Sequence, residues 1–335
     1  MNRAGMSLPA RLTMSATPLA LLLALGVVAG LAVGSSDIPA SEALAAVFAP
    51  DAADPAVWAI VWKLRLPRTL LAALAGGALS LSGLVFQVVL GNPLAEPYIL
   101  GVSGGAALGM VAGVLLGVPA SWGSGPLAFA GALAAFGVVL GITRRRGMSS
   151  ASLVLSGVMI NAFCSAVIMF FVSIARDHTL RATLVWLMGD TSMANTRSLL
   201  VPGVCVPALS VLVFVLSHRM NLLLLGAEAA ANLGVRVPLV KIALVVAATV
   251  MTAAVVSQTG ILGFVGLVCP HILRLLLGHD HRVLVPCCAL FGAGFLVCCD
   301  VGSRLLSHQG AMPVGVLTAM IGAPVFLFLL TRSRP

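Results

Sequence analysis

The sequence predicts an all-α polytopic membrane protein, a bundle of about ten transmembrane helices, and three observations support this. The 335 residues are 60% hydrophobic and only 9% charged, whereas a soluble domain carries roughly 25% charged residues. Long apolar segments recur from end to end, so residues 1–335 form a single transmembrane domain rather than a soluble domain with an anchor. Strand-like alternation is absent, and only helices or closed barrels satisfy their backbone hydrogen bonds in lipid, so the spans are helical.

Ten apolar segments approach the roughly 20 residues that a helix needs to cross a bilayer. They lie at about 17–34, 57–90, 98–117, 125–142, 150–173, 198–216, 239–258, 261–277, 283–306 and 313–331. The segment at 261–277 is short for a full span. The first segment follows Arg3 and Arg11 and resembles a secretory signal, but the residues after it offer a poor cleavage site. We therefore expect an uncleaved first span.

The distribution of positive charge predicts that both termini are cytoplasmic. In that orientation twelve of the nineteen Lys and Arg residues fall on inner segments, and "TRRRG" at 143–147 gives the strongest indication. The inner set is Arg3, Arg11, Arg144, Arg145, Arg146, Arg219, Arg236, Lys241, Arg274, Arg282, Arg332 and Arg334, and the outer set is Lys63, Arg65, Arg68, Arg176, Arg181, Arg197 and Arg304. The basic residues form no stripe with interleaved aromatic residues, so the net charge of +9 reflects topology and not nucleic-acid binding.

The sequence lacks the residues that an enzyme or an ion-coupled carrier needs. There is no GxxxxGK[ST] loop for a nucleotide, so any ATP hydrolysis belongs to another subunit. Histidines and carboxylates do not cluster in the spans, and the seven cysteines have no C-x-x-C spacing, so we predict no catalytic residue, metal or cofactor. Ionisable residues fall towards the span ends, whereas coupled carriers commonly keep them at the midplane. An ion-coupled secondary transporter remains the alternative function.

Glycine recurs at every fourth position of the third span. The series is Gly101, Gly105, Gly109, Gly113 and Gly117. A helix face lined only with hydrogen atoms lets another backbone approach closely, which is how membrane helices gain van der Waals contact. The alternative is a smooth wall along a transport pathway.

The segment "GAEAAANLGVRVP" at 226–238 is mildly polar and separates two long apolar runs. Its alanine-rich part predicts two turns of helix over 227–233, and Gly234 is suited to end them in a left-handed cap. Pro238 suits the first turn of the next helix. A rigid small-residue helix on the cytoplasmic face can dock into a groove of another protein, or it can be an ordinary connector.

Two further segments lie between the spans. "NPLAEP" at 92–97 contains two prolines, which exclude a continuous helix and predict a fixed turn. Residues 176–190 predict an outer amphipathic helix, with Trp186 suited to the membrane interface.

Several stretches together resemble one transporter family. "EAA" at 228–230 followed by Gly234 is similar to the motif by which ABC import permeases engage their ATPase subunits. The longer stretches are "RLPRTLLAALAGGALSLSGLVFQ" (65–87), "NPLAEPYILGVSGGAALG" (92–109), "GFVGLVCPHILRLLLGHDHRVLVP" (263–286) and "PVGVLTAMIGAPVFLFLL" (313–330). From about residue 55 onward the chain resembles the FecCD family, the permeases of iron–siderophore, haem and vitamin B12 ABC importers.

The resemblance implies the helical bundle of a type II ABC importer permease in the inner membrane of a prokaryote. It implies a homodimer with the pathway on its axis, two ATPase subunits beneath it and a substrate-binding protein outside. The cargo would be a metal chelate moved by alternating access, with an iron–siderophore first, and vitamin B12 or haem next. The residues that would engage the ATPase are Gly226, Glu228, Ala229, Ala230 and Gly234.

The resemblance also implies a role for three outer arginines, Arg65, Arg68 and Arg304. They would receive carboxylates of the binding protein, because arginine–carboxylate pairs are bidentate and directional. Two other interpretations stay open. Arg65 and Arg68 can extend towards lipid headgroups, and Arg304 can pair with Asp300 four residues earlier on a helix.

Overall fold

The computed structural model describes residues 7–34, 38–118, 125–145, 149–174, 183–306 and 312–332, and within these ranges it contains helices and no strand. The α-helices are α1 Leu8–Ala32, α2 Ala40–Phe48, α3 Pro55–Ala59, α4 Leu66–Leu90, α5 Val102–Leu115, α6 Gly125–Arg145, α7 Ser150–Ile174, α8 183–187, α9 Leu200–Leu223, α10 Ala227–Asn232, α11 Val237–Thr259, α12 Val265–Leu277, α13 His281–Leu306 and α14 Val314–Arg332. A π-helical segment, Ile60–Arg65, joins α3 to α4, and 3₁₀ turns lie at Pro50–Ala52, Pro97–Leu100 and Arg197–Leu199.

The prediction of an all-α membrane bundle of about ten spans is confirmed. Seven described segments are long and apolar enough to cross a membrane, and α5, α12 and α14 are shorter apolar helices. The first helix begins at Leu8, nine residues before the predicted span, because Ser7 is extended and Pro9 favours a helical first turn. The predicted outer helix at 176–190 lies partly outside the described residues, which show its later part as α8.

Helix α4 is the centre of the bundle and packs against α9, α11, α12 and α13. Close backbone contact makes this possible. Gly76 lies against the Gly292 carbonyl of α13, and Gly83 lies against the Gly266 carbonyl of α12, with no room for a β-carbon at either position. Glycines thus let three helices approach to backbone contact, which strengthens dispersion attraction where lipid supplies no hydrophobic drive.

Three glycines of the predicted stripe lie between α5 and α6. Gly105 faces the Gly131 carbonyl, Gly109 faces the Leu127 carbonyl, and Gly113 faces the Leu127 side chain. This part of the stripe therefore packs helix against helix. Its two ends differ, since Gly101 is the left-handed residue before α5, and Gly117 lies beyond the helix with open space around it.

Two breaks interrupt the helices where the sequence predicted longer spans. The first break, 91–101, starts and ends with left-handed glycines (φ 63° and 81°), and it contains the predicted proline turn. The second break, 260–264, starts at Gly260 (φ 69°) and ends at Phe264 (φ 68°). Because of these breaks α5 begins at Val102 rather than 98, and α12 begins at Val265 rather than 261.

Candidate functional site

A buried arginine cluster, defined as Arg65, Arg68, Asp300 and Arg304, lies where α4 begins and α13 ends. The Asp300 side chain is fully buried. Arg68 Nε donates to Asp300 Oδ1 at 2.8 Å, and Arg304 Nη2 pairs with Asp300 Oδ2. One carboxylate therefore binds two guanidinium groups from different helices, and it fixes the end of α13 against the start of α4.

The last turn of α1 completes this cluster. Arg65 Nη1 donates to the carbonyls of Leu31 and Ala32 at 2.8 and 2.9 Å. Arg304 Nη1 donates to the Gly30 carbonyl at 2.7 Å. These carbonyls belong to the end of a helix, where they have no intrahelical partner. The arginines therefore cap α1 and neutralise the negative end of its dipole.

The arginine cluster carries more positive charge than its carboxylate balances, since it contains three guanidinium groups and one carboxylate, and two of the three bind Asp300. Thr191 Oγ1 also donates to Asp300, at 2.6 Å, and so uses part of its accepting capacity. Two buried nitrogens, Arg68 Nη2 and Arg304 Nε, have no hydrogen-bond partner within the described ranges. A buried, under-satisfied positive site of this kind attracts a carboxylate.

The sequence anticipated only part of this geometry. The Arg304–Asp300 pair, weighed as an alternative to docking, is present as an i,i+4 contact. The Arg68–Asp300 pair joins positions 232 residues apart, and no local spacing in the sequence signals it.

At the other end of the bundle, α10 is a separate short helix. Gly226 (φ 99°) precedes it and Gly234 (φ 83°) follows it, and both are exposed with open space around them. The turn after the helix is closed by Gly234 N–H to the Ala231 carbonyl (2.9 Å) and Val235 N–H to the Ala230 carbonyl (3.0 Å). This is the left-handed glycine cap expected from the sequence, with the helix ending one residue earlier than predicted.

The side chains of α10 leave one face free. Ala230 is fully buried against the bundle and Ala229 is half-buried, whereas Ala227 and Glu228 are exposed. The helix contacts α9 and α11 at their ends. It therefore presents a small, nearly smooth surface whose shape is set by its backbone.

A polar anchor holds the chain just before α10, and the sequence did not reveal it. Asn221 of α9 donates from Nδ2 to Asp280 Oδ1 at 2.8 Å and accepts from the His281 N–H at 2.8 Å. Arg282 binds Asp280 through two nitrogens, at 3.1 and 2.9 Å, and these bonds hold the pKa of the Asp280 carboxyl well below its usual range. The start of α13 is thereby fixed to the end of α9.

No metal centre is formed by the residues that the structure describes, since none of their histidines, cysteines and carboxylates group in threes. The cysteines among them are free thiols.

Comparison with known sequences shows the relatives of this chain. Residues 21–332 match the sequence profile of the FecCD transport family. The chain is 42% identical over 276 residues to the vitamin B12 import system permease protein BtuC of Klebsiella pneumoniae, covering 82% of this chain and 83% of that protein. BtuC of Escherichia coli is 42% identical over 277 residues, with 82% and 84% covered.

Solved structures give a consistent result. A metal-chelate type ABC transporter in an inward-facing conformation superposes with a TM-score of 0.83 at 31% identity, covering 95% of this chain and 98% of that one. PsaBC from Streptococcus pneumoniae, solved with a Fab, superposes with a TM-score of 0.56 at 16% identity, covering 79% and 90%, which supports the fold alone.

Proposed function

Because this chain belongs to the FecCD transport family, we propose that it is the permease subunit of an ATP-binding-cassette importer in the cytoplasmic membrane of a prokaryote. The observation that carries the proposal is the family match over 21–332, together with 42% identity to vitamin B12 permeases. The chain is a transport subunit and not an enzyme. It works as one of two copies, with two ATPase subunits and an extracytoplasmic binding protein, and both of its termini are cytoplasmic.

The proposed cargo is a bulky metal chelate that crosses by alternating access. The sequence alone placed an iron–siderophore first. The relatives are named for vitamin B12, and the similar solved structure is of metal-chelate type. Vitamin B12 is therefore the first cargo to test, followed by iron–siderophores and haem.

The arginine cluster is the proposed docking site for the binding protein. Its excess of positive charge and its two unsatisfied guanidinium nitrogens, on Arg68 and Arg304, suit incoming carboxylates. Arg65, which caps α1, would hold the pocket in shape. The outward position of the cluster follows from the predicted orientation of α4 and α13.

Helix α10 is the proposed coupling helix, seated in a groove of the ATPase. Its free face, with the exposed Ala227 and Glu228 and the half-buried Ala229, suits helix-in-groove docking. The anchor through Asn221 and Asp280 would transmit its displacement to α13. An ion-coupled transporter, the alternative function, needs no such partner.

Mild purification from the native membrane with mass spectrometry tests this proposal. We expect an ATPase subunit to co-purify with the wild-type chain and to be lost in Glu228→Arg, because a cation replaces the exposed anion at the groove. Glu42→Arg, an exposed glutamate in α2, is the matched control and should keep the partner. A chain that purifies alone and drives uptake into vesicles on an ion gradient without nucleotide would establish the secondary transporter instead.

A further inference from the structure

Tyr98, the only tyrosine in the sequence, forms hydrogen bonds that join the two breaks directly. Its hydroxyl donates to the Leu262 carbonyl at 2.9 Å and accepts from the Leu262 N–H at 3.0 Å. Both backbone groups of Leu262 thus depend on a side chain 164 residues away. A single hydroxyl replaces the helical hydrogen bonds that the second break has lost.

This junction lies inside the bundle. Gly266, two residues after the second break, lies against Gly83 of α4 and accepts from Gln87 Nε2 at 3.3 Å. Gly83 is about 10 Å from the C-terminal end of α4, from the rise of 1.5 Å per residue. Irregular backbone at such depth is tolerated only where it is buried in protein or lines a cavity.

Left-handed residues stand at both ends of both breaks. Phe264 is the one non-glycine residue with positive φ in the described ranges, a conformation unfavourable for a residue with a β-carbon. The surroundings hold it there, since its ring packs on Gly322 of α14 and its N–H faces the Glu96 carboxylate of the first break. Strained backbone held by its neighbours is typical of hinges and switch regions.

The two breaks belong to different groups of helices. Asn161 of α7 donates to the Tyr98 carbonyl at 3.0 Å and accepts from the Gly104 N–H at 3.1 Å, so the first break is held to α5 and α7. The second break precedes α12, which packs on α4, α13 and α14. The Tyr98 hydroxyl is thus a direct hydrogen-bonded link between these groups.

We propose that Tyr98 is a positioning residue that latches the two breaks together, and that this latch opens and closes when the bundle changes access. The inference rests on the proposed importer function for its cycle. The left-handed ends are the hinges, and the hydroxyl bonds restrain the two helix groups from moving separately. Since the bonds are made to backbone, phenylalanine at 98 keeps the packing and removes the latch.

Hydrogen–deuterium exchange on the purified full-length permease tests the latch without any partner. In Tyr98→Phe we expect peptides over 95–101 and 260–266 to exchange faster together, about fivefold for each hydrogen bond lost. Thr252→Val is the matched control, because that buried hydroxyl bonds only to the Ala248 carbonyl of its own helix. Unchanged exchange in Tyr98→Phe would overturn the latch.

The assembled transporter tests whether the latch moves. During ATP turnover the wild type should show faster exchange in both segments, and Tyr98→Phe should show fast exchange with or without nucleotide. Cargo moved per ATP should fall about fivefold in Tyr98→Phe, with assembly and ATPase activity kept. In the wild type, nucleotide could change the exchange rate of peptides over 226–238 and leave the rates of both breaks unchanged. That result would show that Tyr98 is a fixed contact, and it would overturn the proposal. If no peptide responds and no ATPase binds, the importer function fails, and the partner-free comparison still decides the latch.

Discussion

The arginine cluster and α10 lie at opposite ends of the bundle, and they are built differently. In the arginine cluster long charged side chains are buried and held by hydrogen bonds to α1 and Asp300. In α10 small side chains are exposed, and glycines at φ 99° and 83° set the shape. In the proposed function, the first region would recognise its partner by charge and bond direction, and the second by the shape of its backbone.

This difference determines which change damages each region. A buried charge depends on its partner, and removing the partner leaves an uncompensated ion. A left-handed glycine depends on having no β-carbon. Three substitutions, ordered by expected effect, test whether the two regions work in these two ways.

Asp300→Asn should have the largest effect, a loss of about 3–5 kcal/mol in the free energy of unfolding, because buried guanidinium groups lose their carboxylate. Denaturant unfolding in detergent, followed by circular dichroism, measures it. Asp51→Asn, at an exposed position, should stay within about 0.5 kcal/mol of the wild type. An Asp300→Asn protein as stable as this control would show that the arginines do not need Asp300.

Gly234→Ala should weaken ATPase binding about 5- to 30-fold, because a β-carbon at φ 83° costs about 1–2 kcal/mol or reshapes the turn after α10. Titration of the labelled ATPase against permease in nanodiscs measures the affinity. Gly203→Ala is the control, since Gly203 lies inside α9 with ordinary helical backbone and open space around it. Equal ATPase affinities for Gly234→Ala and Gly203→Ala would show that the left-handed backbone at Gly234 does not determine ATPase binding.

Arg68→Lys should weaken capture of the binding protein about fivefold, roughly 1 kcal/mol, because lysine keeps the charge and loses the planar fork. The dissociation constant between permease and binding protein should also rise with salt concentration, because ions screen electrostatic contacts between partly exposed charges. Lys63→Arg, at an exposed position in the neighbouring π segment, should leave the constant unchanged. If the Arg68→Lys permease bound the binding protein with wild-type affinity and salt dependence, the arginine cluster would not be the docking site.

Much of the fold could be predicted because bilayer thickness imposes a length on apolar segments. The first residues of α5 and α12 could not be predicted, because these helices start after left-handed backbone at Gly101 and Phe264. Nothing in the local sequence indicates that a phenylalanine adopts this conformation. Gly234 was predictable as a helix cap since its signal is local.

The remaining site residues act over long separations. Asp300 was recognised as a neighbour of Arg304 at i,i+4, but its bond to Arg68 exists only because α4 and α13 pack through glycines. Tyr98 and Asn221 carry no local signal, since their partners lie 164 and 59 or 60 residues away. Side-chain bonds between distant helices follow from how the helices pack, and the hydrophobic periodicity of a sequence does not specify which helices pack together.

Helix α13 runs unbroken between the two regions, with His281 at one end and Arg304 near the other. From the helical rise these two positions are about 35 Å apart, so a tilt of about 5° around the middle shifts each end by about 1.5 Å in opposite senses. Near the middle of α13, Gly292 lies against Gly76 of α4, so this contact is the point about which such a tilt would turn. In the proposed function, the binding protein on one face of the membrane and the ATPase on the other would then both act on the position of this one helix.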